Sequence, residues 1–118
     1  MTTEPPLLDA SRISELADLF GDSEIVLELF NELLQECPER MDAMRRALAN
    51  GEIELIDSAA HAIKGSSANL GARAVQEMAR MIEEMARSNQ LTEADAFVGR
   101  LEIEIARLQE HLRTHGLE

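Results

Sequence analysis

Three neighbouring residues combine a nucleophile, a cation and an unhindered approach on one predicted helix. His61 is followed by Lys64, the only lysine among eleven basic residues, and then by Gly65. An imidazole in water is mostly neutral at pH 7, so one ring nitrogen keeps a free lone pair and can form a covalent intermediate. A flexible ammonium group one turn away can neutralise charge that develops on a phosphoryl group held by that ring.

The helical pattern places these residues on a face that points away from the core. At about 100° per residue, the apolar side chains of this helix cluster opposite His61; they are Ile56, Ala59, Ile63 and Leu70. Lys64 and Gly65 share the outward face with His61. A glycine inside a helix costs roughly 1 kcal/mol relative to alanine, and on this face packing against a neighbouring helix does not explain it. Gly65 therefore indicates a surface that a partner approaches closely.

Taken singly, each of these residues has an ordinary explanation. An exposed histidine is far more often a bystander than a nucleophile, and we interpret His111 and His115 in that way. The combination is more specific, because "HAIKGSSANLGA", residues 61–72, closely resembles the signature of histidine-containing phosphotransfer (HPt) domains. That signature has a histidine, a lysine and a glycine at the next turn, small residues, and a Leu-Gly-Ala turn. Weaker similarity, mostly helical periodicity, extends over residues 7–36 and 78–87.

The resemblance implies a function and a set of site residues. His61 is the expected phosphorylation site, Lys64 and Gly65 are its expected supporting pair, and Ser67 matches a small packing position. The family accepts a phosphoryl group from a receiver-domain aspartate or a histidine kinase and passes it to the receiver aspartate of a response regulator. Mg²⁺ is expected in the receiver, and no cofactor or metal is expected in this chain. The expected partner surface surrounds His61 and includes Ala62, Ala68, Arg73, Arg80 and Glu83. Glu83 also matches a position at which some members of the family have a polar side chain near the histidine.

Three of the arginines also have a simpler interpretation. Arg73, Arg80 and Arg87 recur every seven residues on the predicted fourth helix, interleaved with Glu77 and Glu84. Opposite charges three or four residues apart stabilise a solvated helix face by a few tenths of a kcal/mol per pair. These arginines are therefore predicted mostly to form surface pairs, with docking as the alternative for Arg73 and Arg80.

The elements that position the site are all helical. Residues 1–10 are predicted to be an irregular arm, and residues 11–115 to form an all-α, antiparallel up-and-down four-helix bundle with a short additional N-terminal helix. Ser11 is the predicted cap of the short helix, and Asp22 or Ser23 that of a long helix that reaches Asn50. The third and fourth helices are predicted over about residues 52–69 and 72–88, and Thr92 is the predicted cap of the last.

Apolar stripes support these helices. The short helix is predicted to bury Leu19 and Phe20 together with Ile13 and Leu16. The long helix is predicted to continue through Pro38 with a kink. Its predicted stripe is Ile25, Leu29, Leu33, Cys37, Met41, Met44 and Leu48. The last helix is predicted to bury Ala94, Phe97, Leu101, Ile105, Leu108 and Leu112.

Composition limits the classes of function. With 118 residues the chain is one domain by length, and its net charge of -12 argues against a nucleic-acid or membrane-surface partner. The single cysteine, Cys37, excludes an internal disulfide and is interpreted as a small buried hydrophobe. No apolar run is long enough for a membrane span and the N-terminus lacks a signal-peptide pattern, so a cytoplasmic protein is expected. The chain is also expected to be a monomer.

Two other classes of function compete with phosphotransfer. A di-iron enzyme requires Glu-x-x-His pairs, but Ser58, Leu108 and Leu112 occupy the positions three residues before the histidines. A non-catalytic module that binds and inhibits a receiver or a kinase remains the alternative. The sequence also lacks a Walker-type nucleotide loop, so no autokinase activity is expected.

Overall fold

Five α-helices make up the fold. The computed structural model of the chain describes residues 4–118, and within that range it contains no strand. The helices are α1 (Ala10–Phe20), α2 (Ser23–Asn50), α3 (Ile53–Leu70), α4 (Arg73–Arg87) and α5 (Leu91–His115). The predicted all-helical class is therefore confirmed. None of these helices is long and apolar enough to cross a membrane.

The helices enclose one apolar core. α3 packs against both α2 and α4, α5 contacts both α4 and α2, and α1 lies against α2 and α3. Burial of the apolar side chains between these helices supplies the main favourable free energy of folding. The largest side chains that are fully buried are Phe30, Met44, Ile56, Ile63, Ile82, Leu101 and Leu108.

Cys37 belongs to this core, as predicted. It is 2% exposed, and α2 runs through the adjacent Pro38 as one continuous helix. Burial, together with the charge of Glu36, raises the pKa of the Cys37 thiol to about 11. The thiol is therefore protonated at neutral pH and acts as an apolar side chain.

The first half of the α2 stripe differs from its prediction. Val26 and Phe30 are fully buried, whereas Ile25 is 37% exposed. The predicted run advances by four residues at every step from Ile25 to Cys37, and each such step drifts about 40° around a helix with 3.6 residues per turn. A buried stripe has to mix steps of three and four residues. The core-facing residues of α2 are Val26, Phe30, Leu33, Cys37, Met41, Met44 and Ala47.

The end of α1 is also more exposed than predicted. Ile13 and Leu16 are buried, but Leu19 is 74% and Phe20 44% exposed. Among the described helices, α1 packs against α2 and α3 only. These contacts bury Ile13 and Leu16 but leave Leu19 and Phe20 open to solvent.

Two predicted helix caps are wrong. Asp9, not Ser11, caps α1, and its side chain accepts a hydrogen bond from the Arg12 backbone N–H at 3.2 Å. α5 begins at Leu91, before Thr92, because the chain already reverses after α4 through Asn89, whose φ is 58°. In the predicted arm, residues 1–3 lie outside the described residues, and residues 4–9 are not helical.

The turn between α3 and α4 is fixed by Gly71. Its φ of 83° is left-handed, and its N–H donates to the carbonyls of Ser67 and Ala68. A Cβ atom at this position would lie 3.0 Å from Cβ of Arg12 and 3.2 Å from Cβ of Asp9. Only glycine combines this backbone conformation with this close approach. The turn thus determines how α4 lies beside α3, the helix that carries His61.

Candidate functional site

His61 lies on the solvent side of α3, as the helical pattern predicts. Its side chain is 64% exposed, while Ala60 and Ile63 of the same helix are buried. The Nδ1 atom of the ring lies 2.7 Å from Oε2 of Glu83 on α4. Because an ionised carboxylate can only accept, this hydrogen bond requires the proton of a neutral ring to be on Nδ1. The Nε2 atom is then left with a free lone pair.

Glu83 is the buried centre of the site. The residue is 3% exposed, and its Oε1 accepts a hydrogen bond from Nζ of Lys64 at 2.6 Å. Arg87, one turn further along α4, adds an ion pair of 3.3 Å to Oε2. Burial, the largest single influence, raises the pKa of Glu83, but the hydrogen bonds from Lys64 and His61 and the charges of Lys64 and Arg87 outweigh it. The net pKa is lower than usual, so the carboxylate is ionised at neutral pH.

Lys64 is attached to the same carboxylate as the histidine ring. Its side chain is 28% exposed, so it remains partly accessible to solvent while its Nζ contacts Glu83. The sequence predicts that Lys64 lies one turn beyond His61. The structure adds that Glu83 is the ion-pair partner of Lys64 when no phosphoryl group is bound. Lys64 and His61 therefore lie side by side over one buried anion.

The surface next to His61 is low because its residues are small. Gly65 is exposed, and a Cβ atom built there would meet nothing within 4 Å. Ala62 and Ala68 are half-buried neighbours on the same helix. Ser67 is fully buried on the opposite side, in keeping with a packing position. On the α3 side, the imidazole of His61 is consequently flanked by small residues that leave it accessible.

The three arginines of α4 have three different environments. Arg80 is exposed and pairs with Glu77 and Glu84, as predicted for a solvated face. Arg73 is half-buried and pairs instead with Asp9 at 2.9 Å, which ties the segment before α1 to α4. A surface pair within α4 is therefore the wrong description for Arg73, because the chain before α1 returns to it.

Arg87 reaches across to α3. Its Nε donates to Oδ2 of Asp57 at 3.1 Å, and its Nη2 lies beside Glu83. Asp57 is one turn before His61 on α3, so Asp57, Glu83 and Arg87 form, together with Lys64, one connected network around His61. The predicted surface pairing of Arg87 within its own helix misses this connection.

Glu83 needs a correction of its own. The sequence placed it on the partner surface, but its carboxylate is buried beneath His61 and is occupied by Lys64, His61 and Arg87. Burial removes it from direct contact with a docking protein. The resemblance contained a partial signal, since it implied a polar side chain near the histidine at Glu83, and the structure places Oε2 of Glu83 2.7 Å from Nδ1 of His61. The approach of Glu83 and Arg87 to α3 depends on the turn at Gly71 and cannot be read from either helix alone.

The site has the groups for nucleophilic transfer and no evident metal centre. Among residues 4–118, no group of three or more histidine, cysteine, aspartate or glutamate side chains is arranged to hold a metal ion. The arrangement instead offers an exposed nitrogen lone pair, a buried anion that orients the ring, and a cation beside it.

Comparison with known proteins gives a consistent result. The family model described as Hpt domain matches residues 28–111, which is more than half of the chain. The crystal structure of histidine-containing phosphotransfer protein B (HptB) from Pseudomonas aeruginosa PAO1 is similar, with a TM-score of 0.80 and 28% sequence identity. The alignment covers 93% of this chain and 98% of that chain. A search of curated proteins found no significant sequence match.

Proposed function

This chain belongs to the Hpt domain family, and on that premise we propose that it is a phosphorelay intermediate that carries the phosphoryl group on His61. It accepts the group from a receiver aspartate or a histidine kinase and passes it to the receiver aspartate of a response regulator. The observation that carries this proposal is the 2.7 Å contact between Nδ1 of His61 and buried Glu83, which leaves Nε2 exposed and nucleophilic.

The transfer step follows from that arrangement. Nε2 attacks the phosphorus of the donor's aspartyl phosphate, a nitrogen–phosphorus bond forms, and the bond from phosphorus to the aspartate oxygen breaks. The electron pair of the broken bond leaves with the aspartate carboxylate. The proton stays on Nδ1, so the phosphorylated ring becomes cationic, and Glu83 balances that charge at short range. Transfer to the next receiver reverses these bond changes.

The neighbouring residues have separate tasks. Lys64 neutralises negative charge on the phosphoryl oxygens, and Gly65 leaves room for the receiver to bring its aspartate to Nε2. Mg²⁺ is assigned to the receiver domain. The packing pairs of α2 to α5 support an up-and-down four-helix bundle with α1 as an addition, which holds His61 on a rigid element.

Labelling with a phosphorylated receiver tests this function. A receiver domain carrying radioactive phosphate is mixed with this protein, which is expected to gain an acid-labile, alkali-stable phosphate. His61→Gln should abolish the label. His115→Gln is the matched control, because His115 is an exposed histidine near the end of α5, and it should be labelled normally.

Two results would contradict the proposal. Equal labelling of His61→Gln would place the phosphate elsewhere. Binding of the receiver that survives His61→Gln, with no phosphate trapped on either protein variant, would favour the inhibitory binding module instead.

A further inference from the structure

The proposed transfer would change the charge balance of the Glu83 carboxylate. At rest this buried carboxylate contacts Lys64 at 2.6 Å, and this is the shortest of its contacts with cations. The proposed function requires the same ammonium group to neutralise the phosphoryl oxygens. Lys64 cannot hold both anions equally well. A buried carboxylate that loses its cation is strongly destabilised, which would oppose the very movement that helps the reaction.

Arg87 lies where its guanidinium group can balance the charge of Glu83 when Lys64 moves away. Its Nη2 lies 3.3 Å from Oε2 of Glu83, longer than the Lys64 contact to Oε1. A guanidinium group carries five N–H donors in a rigid fork, so it can serve two carboxylates at once. The other carboxylate is Asp57, which Nε of Arg87 contacts at 3.1 Å. Asp57 therefore anchors the guanidinium group, and the contact of Arg87 with Glu83 remains longer than that of Lys64.

The anchor connects the arginine to the helix of the nucleophile. Asp57 and His61 are one turn apart on α3, so Arg87 spans from α4 to the helix segment that carries the reacting ring. The side chain of Asp57 is only 29% exposed, whereas that of Arg87 is 59% exposed. The more buried Asp57 thus anchors the more exposed Arg87.

We propose that Arg87 is a positioning residue for phosphoryl transfer, an inference that rests on the proposed function of His61. It takes over the charge balance of Glu83 when Lys64 turns toward the phosphoryl group. Glu83 then remains ionised and keeps its hold on Nδ1, while the nitrogen–phosphorus bond forms or breaks at Nε2. Arg87 itself makes no contact with the phosphoryl group.

A double-mutant cycle with Lys64 tests this exchange. Initial rates and the equilibrium share of phosphorylated His61 are measured with one phosphorylated receiver for wild type, Lys64→Ala, Arg87→Gln and the double variant. Arg87→Gln is expected to slow transfer by roughly three- to tenfold, a modest effect because the arginine is largely exposed. In the Lys64→Ala background the same change should slow transfer by a larger factor than in wild type, because Glu83 then keeps neither of its cations and the two losses reinforce each other.

Three further variants separate positioning from simple structural support. Arg87→Lys retains a positive charge and should recover part of the lost rate, but not all, because lysine lacks the fork that bridges two carboxylates. Asp57→Asn should reproduce part of the Arg87→Gln effect by loosening the anchor. Arg107→Gln is the matched control, since Arg107 is 58% exposed and pairs with Glu104 at 2.9 Å on α5. It should transfer at the wild-type rate.

The possible results discriminate clearly. Wild-type rates and equilibrium in Arg87→Gln would overturn the inference. An equal fold loss in both Lys64 backgrounds would also overturn it, because Arg87 would then act independently, for example as a receiver contact. Failure of the proposed function is a different result: wild type would gain no phosphate, or His61→Gln would gain it equally.

Discussion

At the scale of single residues, Glu83 decides how His61 is presented. One buried carboxylate contacts the imidazole at 2.7 Å and the Lys64 ammonium group at 2.6 Å. The first contact fixes which ring nitrogen carries the proton and restrains rotation of the ring. The second keeps a cation beside the nucleophile. A single side chain from α4 therefore orients both functional side chains of α3.

Replacing Glu83 should affect both transfer and stability. In Glu83→Gln the amide can satisfy one donor with its oxygen, but its NH₂ group then faces another donor, either Nδ1–H or the Lys64 ammonium. We expect transfer to slow by about tenfold and the free energy of unfolding at pH 7 to fall by about 1–3 kcal/mol. Transfer assays and urea denaturation measure the two effects. An unchanged rate would contradict the orienting role of the carboxylate.

The stability loss in Glu83→Gln should disappear in acid. The folded-state pKa of Glu83 is lowered, so its contribution is complete above the unfolded value of about 4.3 and is lost as pH falls through the folded value. The difference between wild type and variant should therefore be present at pH 7 and shrink as the pH is lowered below the unfolded value of about 4.3 and through the lower folded value. Glu110→Gln is the control, since Arg113 also lowers the pKa of Glu110 but its side chain is exposed. That variant should change stability little at any pH.

Gly65 is expected to trade stability for access. No atom lies within 4 Å of a Cβ built there, so a larger residue fits without strain. Gly65→Gln should raise the free energy of unfolding by about 0.5–1 kcal/mol, because glycine is the poorer helix former, and yet slow phosphoryl transfer. Gly65→Ala should gain similar stability and slow transfer less. Thermal denaturation and labelling rates measure both; a normal rate in Gly65→Gln would refute the need for close approach.

At the scale of the elements, the sequence predicts the helices well and their mutual placement poorly. The predicted limits of the third and fourth helices lie within one residue of α3 and α4, because Gly51 and Gly71 are strong local stops. His61, Lys64 and Gly65 are found from one helix alone. The contacts of Glu83 and Arg87 with α3 depend on how two helices align across a turn, and a single helical pattern holds no information about that alignment.

The Gly71 turn should therefore matter for both folding and function. Gly71→Ala combines left-handed strain of about 1–2 kcal/mol with overpacking of roughly 1–3 kcal/mol against Arg12 and Asp9. Gly51→Ala is the matched control, since its φ of 67° is similarly left-handed but nothing lies within 4 Å of the added carbon. We expect Gly71→Ala to be the less stable variant in urea and the slower in transfer.

Stability and transfer rate together separate the roles of the turns at Gly51 and Gly71. Gly51→Ala should lose stability while its transfer rate, measured where it is fully folded, remains normal, because its turn does not position α4. Equal stability losses in the two variants would show that the neighbours of Gly71 yield without cost.

At the scale of the whole molecule, the site is electrically distinct from its surroundings. The chain carries a net charge of -12. Around His61, however, the two carboxylates of Asp57 and Glu83 are matched by the cations of Lys64 and Arg87. In the proposed transfer, an incoming phosphoryl group would consequently meet a locally neutral site. This compensation is needed because the field of the rest of the chain repels anions.

The excess negative charge should also make stability depend on salt. Glu24, Glu28, Glu32 and Glu36 form an exposed row on α2 at intervals of four residues, and none pairs with a basic group among residues 4–118. Like charges at this spacing destabilise a helix by about 0.2–0.5 kcal/mol per pair. The double variant Glu28→Gln/Glu32→Gln removes all three adjacent repulsions of the row. It should be more stable than wild type by about 1 kcal/mol at low ionic strength.

Screening distinguishes this repulsion from a change in helix propensity. The molecule measures 44 × 34 × 23 Å, and the Debye length falls from about 30 Å at 0.01 M salt to about 8 Å at 0.15 M. Wild type should therefore gain stability over this range of NaCl concentration, and the double variant should gain less, so that the two unfolding curves approach each other. Glutamate and glutamine have nearly equal helix propensities, so propensity contributes little at either concentration. An advantage of the variant that stays the same in both salts would show that the row of glutamates does not repel itself.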